Sequence, residues 1–159
     1  MTFINAKSAP FFLLLCFTLS LQALETGDDL KLNPDKYVGK KVSLLGMINA
    51  GYEPHKSPNG SGSFYIMDTG KNVRESYGNT SRNVFASEGQ VVVFVPNDKI
   101  SSFVSTFKKK VDGNYRSTGK GFSGIFLQRP ENNEDKDWHR WWYWYEYYKG
   151  YYVDMTGGS

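Results

Sequence analysis

One stretch of this chain carries a strong helical stripe, and it lies between runs that read as strands. Ile100, Phe103, Val104 and Phe107 fall at i, i+3, i+4 and i+7, the spacing of one helix face packed on a core. Asn97 or Asp98 can cap the start. Lys108, Lys109 and Lys110 fall in the last turn, where cations complement the helix dipole, so a helix over residues 98–110 is expected. The triple lysine reads first as a solvated helix end and second as a phosphate-binding patch. Just before this helix, Val91-Val92-Val93-Phe94-Val95 is β-branched and apolar on both faces, which predicts a central strand ended by Pro96.

The remaining elements set the order. Residues 25–40 are a polar lead-in, with Asn33-Pro34 suited to start a short helical turn that Gly39 ends. Residues 42–48 read as the first strand, and Gly46 inside it marks a bulge or tight bend. Phe64-Tyr65-Ile66-Met67 reads as the second strand, with a turn at Asp68-Thr69-Gly70. Residues 71–90 are polar and read as a partly mobile loop. Residues 121–128 give the fourth strand, entered through Gly119-Lys120-Gly121. Tyr151-Tyr152-Val153-Asp154-Met155 gives the last.

Strand, strand, strand, helix, strand, strand resembles the oligonucleotide/oligosaccharide-binding (OB) fold, a five-stranded Greek-key barrel. Tyr37-Val38-Gly39-Lys40-Lys41-Val42 resembles the opening of tRNA-anticodon-like OB domains. Phe64-Tyr65-Ile66-Met67-Asp68-Thr69-Gly70 resembles the second strand and turn common in OB proteins, including small exported bacterial ones. The resemblance spans roughly residues 35–157. It implies an all-β barrel with one helix between strands three and four. It also implies a ligand face on strands two and three, bordered by loops at residues 52–62 and 129–137.

Residues 1–23 read as a secretory signal peptide: Lys7 is the sole charge, an apolar run spans residues 11–21, and Ala23 precedes the expected cut. The run is shorter than a bilayer span, so cleavage is favoured over a retained anchor. Cleavage would remove Cys16, the single cysteine, leaving a chain without disulfides or thiolate ligands. It would also leave 18 basic residues against 16 acidic ones, a balance too even to imply a polyanion partner. Residues 24–159 are of ordinary size for one domain, with an aromatic-rich insertion at about 138–149. The expected location is the periplasm or the secreted space.

All 4 tryptophans lie in residues 138–144, amid a run of tyrosines. As a strand, this run puts Trp142, Trp144 and Tyr148 on one face with Arg140 and Glu146. As a helix, Trp138, Trp141, Trp142 and Tyr145 form a stripe; the aromatic composition favours strand. Three roles are open: barrel core or edge cover, ligand stacking, and contact with a protein or membrane interface. Tyr52, Tyr65, Arg140, Trp142 and Trp144 are the candidate ligand-binding residues. The expected function is non-catalytic binding of an oligosaccharide or single-stranded nucleic acid, with a protein-interaction or envelope-structural role as the alternative.

Catalytic patterns are sparse. His55 and His139 stand in different loops without Cys or His at ligand spacing, so no metal site and no cofactor is expected. Hydrolase, zinc-protease and P-loop patterns do not occur. Asp68 with Arg74 or Arg82 is the one pairing that could imitate an OB-fold nuclease site. Asn59-Gly60-Ser61 and Asn79-Thr80-Ser81 match the N-glycosylation triplet, relevant in a eukaryotic source.

Overall fold

A computed structural model of the chain describes residues 24–108, 118–129 and 147–157. The expected signal segment, helix positions 109–110, Arg140, Trp142, Trp144 and most of the aromatic run lie outside the described residues. In chain order the elements are helices α1 (Gly27–Leu32) and α2 (Pro34–Tyr37), then strands β1 (Lys41–Ile48), β2 (His55–Lys56), β3 (Gly62–Tyr77) and β4 (Thr80–Pro96). After a 3-10 turn at Asn97–Lys99 come helix α3 (Ile100–Phe107) and strands β5 (Lys120–Gln128) and β6 (Tyr151–Asp154).

Five strands close on themselves. β1 pairs with β3, β3 with β4, β4 with β6, β6 with β5, and β5 returns to β1. β4 and β6 run parallel; the other pairs are antiparallel. The two-residue β2 adds beside the start of β3. This is an all-β, OB-like Greek-key barrel, with α3 between its third and fourth strands as the sequence leads one to expect. β4 is central in the way its two apolar faces require: β3 flanks it on one side and β6 on the other.

Closure depends on one bend. β1 pairs with β5 from Lys41 to Gly46, then switches to β3 from Gly46 to Ile48. Gly46 belongs to both ladders. A Cβ there would lie 2.7 Å from the Asp68 carbonyl oxygen and 3.1 Å from Phe122 Cε1, so the close approach of three strands requires glycine.

Three expectations are corrected. Residues 71–90 are not a loop: β3 and β4 continue through them as one long hairpin, paired out to Tyr77 and Thr80. Asp68-Thr69-Gly70 is not a turn but the site of a bulge, where the register shifts between Asp68 opposite Gln90 and Gly70 opposite Ser87. Gly89, at φ 94, supplies the left-handed backbone this bulge needs. Finally, neither Asn97 nor Asp98 caps α3. They form the 3-10 turn, and α3 begins after Lys99 without a side-chain cap.

α1 has the better cap. Thr26 Oγ1 accepts from the Asp29 backbone N–H, and Asp29 accepts back from the Thr26 N–H at 2.9 Å, a reciprocal capping box. The Gly27 N–H donates to Thr69 Oγ1 at 2.6 Å, and Thr69 Oγ1 donates to the Gly89 carbonyl. One buried hydroxyl thus ties α1 to the bulge.

The core sits inside the barrel. Val42 and Leu44, Tyr65 and Met67, Val91, Val93 and Val95, Phe122 and Phe126, and Val153 point inward from alternate strand positions. Leu30 from α1 and Phe103 and Phe107 from α3 complete it. Ring packing is continuous from Tyr65 to Phe103 (5.0 Å), Phe103 to Phe107 (4.8 Å) and Phe107 to Phe122 (5.7 Å).

Candidate functional site

Strand alternation that sends Tyr65, Met67, Val91 and Val93 inward sends their neighbours outward. On the outer face of β3 and β4 three cross-strand pairs follow one another: Phe64 opposite Phe94, Ile66 opposite Val92, Asp68 opposite Gln90. Tyr152 of β6 joins the first pair, its ring edge-on to Phe64 at 5.7 Å, while Phe64 and Phe94 lie 5.0 Å apart. Tyr148 packs on the same group. The result is a strip with an aromatic end and a polar end, on the face that OB barrels use for ligands.

The polar end is wired. Asp68 Oδ1 accepts from Asn49 Nδ2 and from Gln90 Nε2, each at 2.8 Å, and Tyr148 donates its hydroxyl to Gln90 Oε1 at 2.9 Å. Asn49, Asp68, Gln90 and Tyr148 therefore hold one another in fixed rotamers, drawn from the β1–β2 loop, both strands and the segment leading into β6. Asp154 lies on the same face, opposite Phe94, and accepts from the Thr156 N–H. Burial first, and then the Asp154 carboxylate, push the Tyr152 phenol above its ordinary pKa, so Tyr152 presents a neutral hydroxyl.

The loop beside the aromatic end is ordered by a serine–asparagine turn. Asn59 Oδ1 accepts from the Ser61 N–H and from the hydroxyls of Ser57 and Ser61, and the Gly62 N–H donates to Ser57 Oγ. β2 in this loop places His55 opposite Phe64.

The five sequence candidates separate. Tyr52 lies on the β1–β2 loop and is 39% exposed. Tyr65 does not face a ligand: it is 6% exposed, its ring packs on Phe103, and burial raises its pKa, so it is corrected to a core residue. Arg140, Trp142 and Trp144 lie outside the described residues. Sequence reasoning chose the tyrosine of Phe64-Tyr65 for its type. The period-two pattern, with residues 91, 93 and 95 as core, holds the signal that assigns Phe64, Phe94 and Gln90 to the outer face.

Asp68 does not meet Arg74 or Arg82. Arg74 donates to Ser81 Oγ through Nε and Nη2, and Arg82 lies 3.4 Å from Glu75 and over the Tyr77 ring. Arg82 sits opposite Glu75, seven strand positions beyond Asp68, which is about 20 Å along a strand. Among the described residues, no group of three His, Cys, Asp or Glu side chains could hold a metal ion, and no helix is long and apolar enough to cross a membrane. Comparison of the chain with protein-family models, with curated proteins and with solved structures gives no match.

Proposed function

We propose that this protein is an exported, non-catalytic binding module that takes an oligosaccharide on the outer face of β3 and β4. The observation that carries this reading is the strip itself: the half-buried rings of Phe94 and Tyr152, packed over the buried Phe64, beside the fixed acceptors and donors of Asp68, Gln90, Asn49 and Tyr148. Sugar rings lie on aromatic faces, and their hydroxyls pair with carboxylates and amides. Single-stranded nucleic acid, the other OB ligand class, fits less well. The charged groups at strand positions 64–68, 90–94 and 152–154 are Asp68 and Asp154, and carboxylates repel the phosphates that supply most nucleic-acid affinity. The signal-like segment supports export, where glycans are accessible.

Tryptophan fluorescence of the purified chain, titrated with neutral glucose- and N-acetylglucosamine-based oligosaccharides and with oligothymidylate, tests the reading. A saturable glycan response, weakened about tenfold or more in Asp68→Ala through loss of charge-assisted hydrogen bonds, is expected. A response to oligothymidylate that falls steeply with salt would replace glycan by nucleic acid. Silence to both would leave the interaction-protein reading. The exposed Tyr77 (58%) and Val73 (37%) on the projecting hairpin favour that reading as second choice.

A further inference from the structure

A cavity of about 290 Å³ opens between α1 and the segment leading into β6, at the lower end of the size range of small-ligand sites. Its walls are largely apolar: Leu30 from α1, Phe126 from β5, and Tyr148 and Tyr151. The half-buried Tyr151 ring is backed by the buried Phe126, the two stacked almost parallel at 5.4 Å with 13° between their planes, so the Tyr151 ring is held in place at the wall. Two exposed lysines, Lys31 and Lys149, line the same cavity. Among the described residues neither makes an ion pair, and no Asp or Glu lines the cavity. The nearest carboxylate in α1 sequence, Asp29, is engaged in the Thr26 capping box.

Lys149 adds an independent sign. It is the one described residue other than glycine with a left-handed backbone, at φ 52, and Gly150 follows it at φ 74. Such a conformation costs a side-chain-bearing residue energy that glycine would not incur. The turn is fixed from both sides: Gln128 Nε2 donates to the Lys149 carbonyl, and the Arg129 N–H donates to the Gly150 carbonyl. The left-handed backbone therefore holds this lysine at the rim of an apolar cavity, and such held outliers cluster at functional positions.

We infer that this cavity binds a small flat apolar molecule bearing one anionic group, an aromatic carboxylate in chemical class. The ring lies against Tyr148 and Tyr151, with Leu30 and Phe126 as the buried floor beneath, and the carboxylate meets Lys31 and Lys149 at the rim. The site goes beyond the oligosaccharide reading and does not depend on it.

The test uses 2-naphthoate and its uncharged counterpart 2-naphthalenemethanol, titrated calorimetrically into the full chain. Naphthoate is expected to bind at sub-millimolar concentration, and the alcohol about tenfold or more weaker. Lys149→Gln and Lys31→Gln should each cost a similar factor for naphthoate and leave the alcohol unchanged. Lys149→Gly separates function from folding: relief of the left-handed backbone should raise the melting temperature while naphthoate affinity falls. Asn49→Ala, which removes a strip donor that does not line the cavity and leaves the Asp68–Gln90–Tyr148 bonds in place, should leave naphthoate binding intact. Equal affinity for acid and alcohol, indifference to both lysine substitutions, or no naphthoate binding would overturn the inference.

Discussion

Replacing Gly46 by alanine isolates the contact that closes the barrel. The added Cβ would sit 2.7 Å from the Asp68 carbonyl oxygen and 3.1 Å from Phe122 Cε1. Ordinary C···O contacts are about 3.3 Å or longer, so the overlap is about 0.6 Å. The obstacle is backbone, and Met47 opposite Asp68 ties that backbone to β1, so it cannot swing aside as a flexible side chain would. Overpacking of this kind costs about 1–3 kcal/mol. Alanine also restricts the unfolded chain, which returns about 0.4–1 kcal/mol. The net expectation is destabilisation by about 1–2 kcal/mol. Gly121 is the internal control. It pairs with Leu45, the residue before Gly46, yet its Cβ would meet nothing within 4 Å. Gly121→Ala should therefore be neutral or slightly stabilising. Urea unfolding followed by circular dichroism reads the difference: with slopes of about 1–3 kcal/mol per molar, the Gly46→Ala midpoint should fall by roughly 0.3–2 M. Matching midpoints for the two variants would refute the claim that close strand approach, rather than glycine flexibility, explains Gly46.

Three further outcomes follow from the core and the caps. Phe103→Ala removes the ring that packs between Phe107 of α3 and Tyr65 of β3, and should cost about 3–5 kcal/mol by chemical denaturation. The Asp29 carboxyl is held below its ordinary pKa, first by the Thr26 backbone N–H and then by its hydroxyl. Its contribution is therefore present above the unfolded pKa and lost as pH falls through the lower folded one. Thermal melts below about pH 5 should show a shallower acid limb in Asp29→Asn than in the parent. Burial raises the Tyr65 phenol, so its protonated form is favoured in the fold. Stability should fall as pH rises past about 10, where the unfolded tyrosine ionises first, and Tyr65→Phe should soften that alkaline loss while the share due to Tyr152 remains.

The barrel was legible where one physical requirement dominated the residues. Residues 91–95 must be buried on two faces, Ile100, Phe103, Val104 and Phe107 must share one, and Gly46 must allow a bend in its strand. Each reading survives in the structure. The α1 cap was also written in the chain, as Thr26-Gly27-Asp28-Asp29, but the polar lead-in obscured a helix of 6 residues that buries Leu30 as its one large apolar side chain. The candidate site was half legible. The OB analogy pointed to the face of β3 and β4, yet choosing Tyr65 by residue type rather than by strand parity put the wrong member of Phe64-Tyr65 on that face.

Parity also explains why residues 71–90 hid a strand. On β4 the inward positions beyond the bulge are odd: Val91, Val93 and Val95. Before it, Ala86, Val84 and Arg82 stand opposite Lys71, Val73 and Glu75, which continue the inward parity of Met67 and Thr69 on β3. The inward positions of β4 are thus even before Gly89 and odd after it, and Val84 is as buried (1%) as the barrel valines. One extra residue at the bulge breaks the alternation that a sequence reading depends on. The outer segment is held instead by cross-strand polar pairs, Arg74 with Ser81 and Glu75 with Arg82, and these read as loop composition when their partners are unknown. The same bulge aims the candidate face. It places Gln90 opposite Asp68 and brings Gly89 to the Thr69 hydroxyl that anchors α1, so the polar end of the strip and the α1 wall of the cavity share one backbone irregularity.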